Sequence, residues 1–110
     1  MASPQIENGY TKIANELLEA FCRLITNSTW LRVMLLTIRL TYGWQRKEMQ
    51  SNYRAYATKL NLTRDTIKNT LQELADRKMI ILAVVTKEQF VISINKNYEL
   101  WKIEGSFKRL

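Results

Sequence analysis

Residues 53–77 read YRAYATKLNLTRDTIKNTLQELADR, and this stretch decides the fold. Its apolar residues recur three, four and seven positions apart, which is the spacing of one helix face. The first set comprises Tyr53, Tyr56, Ala57 and Leu60, and the second comprises Ile67, Leu71 and Leu74. Between the sets, Asn61 tolerates a left-handed backbone and Thr63 is a good N-cap. The stretch therefore predicts two helices joined by a tight turn, the second running from Arg64 to Arg77.

The flanking segments predict two more helices and a hairpin. Apolar residues at helical spacing indicate an amphipathic first helix over about residues 13–25 and a nearly all-apolar second helix over about residues 29–42. Residues 80–85 and 90–94 are β-branched runs around a polar connection, which is typical of an antiparallel hairpin, and residues 48–50 can add a short strand. This order predicts a mainly α fold with a small β-hairpin (α+β), a winged helix-turn-helix with an extra N-terminal helix.

Local predictions concern four individual residues. Gly43 follows the second helix and is expected to end it in a left-handed conformation. Trp44 is then expected to fold back and, like Trp101, to serve as a packing anchor. Cys22 lies on the apolar flank of the first helix and is expected to be buried.

The length of 110 residues suits one domain and is too small for two. We expect residues 1–9 to form a flexible arm and residues 10–102 to form the winged-helix domain. Residues 103–110 are expected to be a tail or a linker to a C-terminal domain that is missing from this sequence.

Composition argues against several functional classes. The sequence has no His and one Cys, so it offers neither a His-containing zinc site nor a His-based catalytic dyad. A phosphate-cradling glycine loop is also absent. The longest apolar run, residues 79–85, is far shorter than the roughly 20 residues of a membrane span. We therefore expect no enzymatic activity, no metal, no other cofactor and no membrane partner.

The charge is basic and unevenly distributed. Lys and Arg number 17 against 10 Asp and Glu, which gives a net charge of +7. Of this surplus, +6 falls in residues 46–110. A basic half in a small domain favours a polyanionic partner, most simply nucleic acid.

The helix-turn-helix motif places its second helix in the major groove of DNA. With the apolar set of this helix turned inward, its outward residues near the N-terminal end are Arg64, Asp65, Lys68, Asn69 and Gln72. Arg and Lys can donate to guanine, whereas Asn and Gln can bond adenine. The residues that we expect to contact the DNA backbone are Thr63, Thr66, Tyr53, Arg54, Lys59 and Lys87.

Several motifs resemble those of a known family, the N-terminal domain of lambdoid bacteriophage replication protein O. They are residues 7–20, residues 30–33, residues 39–44 with the tetrapeptide Thr-Tyr-Gly-Trp, and residues 95–98 together with Trp101. The resemblance implies an initiator that binds inverted repeats at the phage origin as a dimer, in the cytoplasm of the bacterial host. It also implies that helicase-loading partners are bound by a separate C-terminal domain.

The sequence differs from the family pattern at two positions, and one helix matches it only in part. Asn61 and Lys78 stand where glycine is common in the family. The second helix of the motif matches in its apolar positions alone, so base specificity does not carry over. Winged helices often dimerise through an added helix, and we therefore expect Leu17, Leu18, Phe21 and Leu24 to lie partly at a homodimer interface. The alternative is that this helix docks on its own core.

Two other functions remain open at this point. A transcriptional repressor would use the same surface on a promoter. A winged helix can also serve protein docking, with its charge contributing solubility.

Overall fold

The computed structural model describes residues 2, 4 and 9–103. Over these residues the chain forms four α-helices and three strands, and short 3₁₀ turns follow α2 and β3. The helices are α1 (Asn15–Leu24), α2 (Ser28–Thr41), α3 (Tyr53–Leu60) and α4 (Arg64–Asp76). The strands are β1 (Glu48–Asn52), β2 (Ile80–Val84) and β3 (Gln89–Ile94). The predicted α+β winged-helix fold is confirmed. Every helix in this part of the chain falls short of the length and hydrophobicity that crossing a bilayer requires.

Helix α2 lies at the centre of the domain, as its apolar sequence predicts. It contacts α3, α4, β1 and β3. Asn27 caps it by accepting a hydrogen bond from the Trp30 amide at 3.1 Å. Its inward residues Val33 and Met34 are completely buried.

The prediction for Gly43 is wrong in its mechanism. The chain passes from α2 into a 3₁₀ turn, Tyr42–Trp44, and the left-handed residue is Gln45 with φ 57°. A Cβ at position 43 would lie 2.7 Å from Nη1 of Arg39 and 3.0 Å from Oγ1 of Thr11, so the flexible end of the Arg39 side chain would have to move. Trp44 is not a buried anchor: it is 63% exposed, with the Arg39 guanidinium 5.7 Å from its ring centre.

The helix-turn-helix forms as predicted. Asn52 caps α3 by accepting from the Ala55 amide at 2.8 Å, and Thr63 caps α4 by accepting from the Thr66 amide at 3.2 Å. Asn61 is left-handed at φ 56°, where a short polar side chain is tolerated better than a branched one. The two caps set where α3 and α4 begin, and Asn61 makes the turn between them.

Lys78 ends the sharp turn after α4 without glycine. Its φ is 64°, and the amides of Lys78 and Met79 donate to Ala75 and Leu74 in the pattern of a Schellman motif. The Asn95 side chain donates to the Lys78 carbonyl at 2.7 Å and supports this conformation. The side chain of Asn95, which follows β3, therefore supports a backbone conformation that glycine adopts without such a contact.

The hairpin forms a three-stranded sheet with the predicted short strand, which extends two residues further than expected. β1 pairs antiparallel with β3, and β3 pairs antiparallel with β2, so the strand order is β1-β3-β2. Phe90, Ile92 and Ile94 share the inner face, as predicted, and are at most 6% exposed. The Thr86 hydroxyl closes the wing turn by accepting from the amides of Glu88 and Gln89 at 3.3 and 3.1 Å.

Helix α1 docks on the chain's own core. Leu17, Phe21 and Leu24 are 1–5% exposed, and the Phe21 ring lies 5.8 Å from that of Trp101. The expectation that these three residues form a dimer interface is therefore not supported. Only Leu18 of the four is exposed, at 42%. Cys22 is exposed as well, so the prediction of its burial is wrong.

Trp101 closes the domain as the sequence predicts. Its indole donates to the Asn95 carbonyl at 2.8 Å, and the buried side chain of Ile103 extends the core one residue past the predicted boundary. The predicted arm over residues 1–9 and the predicted tail over residues 103–110 lie mostly outside the described residues.

A buried hydrogen bond joins α2 to α3. The Thr37 hydroxyl donates to the Val33 carbonyl at 2.9 Å, so its single proton is used. The Tyr56 hydroxyl must then donate to the Thr37 oxygen, 2.8 Å away. Thr37 and Tyr56 are both completely buried.

Removing either hydroxyl should therefore have unequal effects on the free energy of unfolding. Tyr56→Phe leaves Thr37 bonded to Val33 and should cost about 0.5–1.5 kcal/mol. Thr37→Val leaves the buried Tyr56 hydroxyl without an acceptor and should cost about 1–3 kcal/mol. Urea unfolding at neutral pH measures both values, and equal losses would contradict the assigned donor direction.

The same pair gives a pH dependence. Burial raises the pKa of Tyr56 to about 12 from its usual 10.0. The stabilising contribution of this group is thus complete below pH 10 and is lost as the pH rises towards about 12. Over that pH interval, the free energy of unfolding should fall less in Tyr56→Phe than in the wild type.

The packing of α1 makes a second prediction. Phe21→Ala should cost about 3–5 kcal/mol because it leaves a cavity beside Trp101. Leu18→Glu, on the exposed face, should change stability by less than about 0.5 kcal/mol. Thermal and urea unfolding of the two variants check this, and comparable losses would show that α1 packs differently.

Candidate nucleic-acid interface

Helix α4 presents a polar face at its N-terminal half. Ile67, Leu71 and Leu74 are completely buried, as predicted, and fix which side of the helix faces outward. The opposite side carries the exposed residues Asp65, Lys68, Asn69 and Gln72. Within the described residues, the side chains of Lys68 and Asn69 make no hydrogen bond or ion pair, so their donors are available to a ligand.

The C-terminal half of α4 is engaged with the protein itself. Glu73 accepts a hydrogen bond from the Trp30 indole at 3.2 Å, and the Arg77 guanidinium lies 4.7 Å from the centre of the Trp30 ring. The Gln72 amide donates to Asp76 at 3.0 Å. Gln72 must therefore exchange this bond before it can contact a base.

The two threonines at the start of α4 are not equivalent. The Thr63 hydroxyl donates to the Thr66 oxygen at 2.8 Å while it caps the helix. Its proton is thus in use, whereas Thr66 retains its own hydroxyl proton. Of the two predicted phosphate contacts, Thr66 is the one with a free donor.

Three elements meet at Arg64, the first residue of α4. Its Nε and Nη2 donate to the two carboxylate oxygens of Glu88, in the wing turn, at 2.8 and 2.7 Å. The guanidinium carbon lies 5.2 Å from the ring centre of Tyr53, the first residue of α3. The beginnings of α3 and α4 and the wing turn therefore form one continuous surface.

This surface is predominantly positive. The hydrogen bond from Arg64 lowers the pKa of Glu88, and the charges of Arg64, Arg54 and Lys68 lower it further. The same hydrogen bond raises the pKa of Arg64. Arg54 and Lys68 thus lie close enough to influence Glu88, and Lys87 is its neighbour in the turn. The Glu88 carboxylate remains ionised at neutral pH in the midst of these cations.

The residues that the sequence predicts to contact the DNA backbone do not all lie on one surface of the structure. Arg54, Lys59 and Lys87 are exposed, but Arg54 and Lys59 lie at opposite ends of α3. Tyr53 is only 3% exposed, and its ring packs 5.1 Å from that of Phe90. The expectation that Tyr53 contacts phosphate is therefore not supported; its ring belongs to the core and underlies Arg64.

Sequence reasoning missed Glu88. It stands 24 positions from Arg64, and its only local signal is that it is the one carboxylate in the polar connection of the hairpin. Recognising its role requires knowing that the wing turn reaches the start of α4.

The loop with Arg46 and Lys47 lies away from this surface. Asn52 pairs with Gln89 at the wing end of the sheet, whereas Glu48 pairs with Ser93 at the other end. Arg46 and Lys47 line a groove of about 950 Å³ at that far end. In the part of the chain that is described, no group of three acidic or thiol side chains is placed to hold a metal ion.

Comparison with known proteins adds three findings. Residues 3–101 match the family model described as "Bacteriophage replication protein O". The chain is also similar to "Replication protein 15" of Enterobacteria phage phi80, at 28% identity over 99 residues. The alignment covers 90% of this chain and 32% of that relative, so the chain spans about a third of the relative's length. No solved structure matches the chain.

The Arg64–Glu88 pair predicts a measurable titration. Its lowered pKa means that Glu88 should titrate below its usual value of 4.5. The pair contributes stability above that value, and the contribution is lost as the pH falls through the lowered pKa. Carboxyl-carbon NMR should show the titration return towards 4.5 in Arg64→Ala. An unchanged Glu88 titration would contradict the pairing.

Proposed function

The chain belongs to the bacteriophage replication protein O family. We propose that it takes part in phage DNA replication by binding double-stranded DNA sequence-specifically at the phage replication origin. The observation that carries this proposal is the exposed N-terminal half of α4, which includes Arg64 and Lys68. Arg54 and Lys87 lie beside it around the wing turn. A helix of this polarity, carried by a helix-turn-helix, suits the major groove.

Most of the exposed groups on this surface have a chemically suitable partner in DNA. Lys68 can donate to guanine, and the Asn69 amide can form two bonds with adenine. Thr66 and the first amides of α4 can bind phosphate oxygens, because a helix N-terminus favours anions. Arg54, Lys59 and Lys87 supply further backbone contacts, which position the helix without reading sequence.

The rest of the proposal concerns assembly and context. We propose that the domain binds inverted repeats as a homodimer in the cytoplasm of the bacterial host, as a binding domain and not as an enzyme. Of the four residues expected at the subunit interface, Leu18 alone is exposed, and we propose that it contributes to the contact. Contacts with helicase-loading proteins are not assigned to these residues, since the relative is about three times as long as the stretch that it shares with this chain.

Salt dependence tests whether the domain binds DNA through phosphates. If it neutralises about five phosphates, log K for a duplex should fall with log salt at a slope of about −4 to −5. Fluorescence anisotropy of a labelled duplex measures the slope. A flat response, or no binding to any duplex, would refute DNA binding and favour protein docking.

Substitution in α4 tests sequence reading. Lys68→Ala and Asn69→Ala should each weaken a cognate site more than random DNA, by about 5- to 150-fold, because each removes the hydrogen bonds to one base. Lys47→Ala, at the far end of the sheet, is the matched control and should leave that ratio unchanged. Equal losses of affinity for cognate and random DNA would show that both side chains contact the DNA backbone and not the bases.

The cognate site itself comes from selecting bound sequences from a random duplex pool. Inverted repeats would support the dimer, and their position in the phage genome separates an origin from a promoter. Sites confined to promoters would favour a repressor instead.

A further inference from the structure

Arg64 is held more firmly than an exposed arginine needs to be. Glu88 takes the edge formed by Nε and Nη2 in two short hydrogen bonds, and the Tyr53 ring lies against the guanidinium face. Tyr53 is buried, so this platform is itself fixed.

The other edge of the guanidinium, formed by Nη1 and Nη2, has only long contacts. Nη2 lies 3.4 Å from the Lys87 carbonyl, and Nη1 lies 3.5 Å from the Asp65 carboxylate. Both distances exceed those of well-formed hydrogen bonds. A base with two adjacent acceptors could therefore take this edge while Glu88 keeps its own, and guanine presents such a pair in O6 and N7.

The wing turn is built to keep Glu88 in place. The Glu88 carbonyl accepts from the Tyr53 amide at 3.2 Å, which ties the turn to the start of α3. The Thr86 hydroxyl accepts from the Glu88 amide and closes the turn from the other side. The carboxylate thus extends from a backbone that is fixed at two points.

Neither stability nor attraction to DNA accounts for this pair. Both side chains are substantially exposed, at 36% and 55%, and exposed ion pairs add little to stability. A carboxylate among the cations that face DNA weakens attraction to phosphate. The arrangement is useful if it orders the arginine before binding, since a side chain that is already ordered loses less conformational entropy in the complex.

We propose that Glu88 is a positioning residue, which holds Arg64 so that its free edge reads a guanine in the major groove. This inference rests on the proposed function, because it assigns one base contact and its support within the same DNA-binding surface. It makes the wing a contributor to sequence reading through Arg64, without a base contact of its own.

The test begins with the selected cognate duplex and four variants of it, each changed at one G·C pair. Arg64→Ala should abolish the preference at one of these pairs and leave the preferences at the others. Glu88→Gln, which keeps the shape of the side chain and removes its charge, should lower the preference at that same pair by about five- to tenfold. Glu48→Gln is the matched control, with the same charge change at the end of the sheet away from the wing turn, and should have no such effect.

The double variant separates positioning from charge. In the Arg64→Ala background, Glu88→Gln should produce no further change in preference at that pair. The inference would be overturned if Glu88→Gln tightened binding to all duplexes equally with preferences intact. It would also be overturned if Arg64→Ala weakened all duplexes equally, since Arg64 would then contact phosphate. Selection of no sequence by the wild type would instead refute the proposed function, and the inference with it. Thermal unfolding confirms that each variant is folded.

Discussion

The placement of α3 in the fold rests on the buried side chain of Tyr56. Its hydroxyl and its ring make different contacts. The hydroxyl donates to Thr37 of α2, while the ring meets Phe90 of β3 edge-on at 5.6 Å. One side chain of α3 therefore ties the helix to both the central helix and the sheet. A buried donor must find its acceptor, so this contact specifies where α3 lies as well as stabilising it. The chain of contacts continues outward from Phe90 to Tyr53 and from Tyr53 to Arg64, so the surface that we propose for DNA is braced by the core.

Much of the fold follows from local patterns in the sequence. The helices α3 and α4 are set by apolar spacing and by caps at Asn52 and Thr63, which act over three or four residues. Predictions for features that depend on distant neighbours were wrong or incomplete. β1 is mostly polar, with only Met49 buried, and gains its full length by pairing with β3. The close approach of Thr11 to Gly43 likewise comes from a residue that is distant in the sequence.

The candidate site shows the same division. Helical periodicity is sufficient to place Lys68 and Asn69 on the outer face of α4. It does not reveal that the Thr63 proton is already used, that Tyr53 is buried or that Glu88 reaches Arg64, because each depends on contacts between side chains that the pattern does not describe. The excess basic residues form two groups at opposite ends of the sheet. Arg54, Arg64, Lys68 and Lys87 surround the wing turn, whereas Arg46, Lys47 and Lys96 line the groove at the opposite end of the sheet.

The pairing of β1 with β3 has a consequence for how the domain folds. The paired residues Asn52 and Gln89, and likewise Glu48 and Ser93, are separated by the helix-turn-helix and the whole of β2. Closing so long a loop has an entropic cost that must be met before the strands gain their contacts, which slows folding relative to a purely helical bundle. Helices α3 and α4 lie inside this loop, so their final arrangement is completed only when it closes. The surface that we propose for DNA is therefore expected to form only when the sheet closes and to be lost together with it.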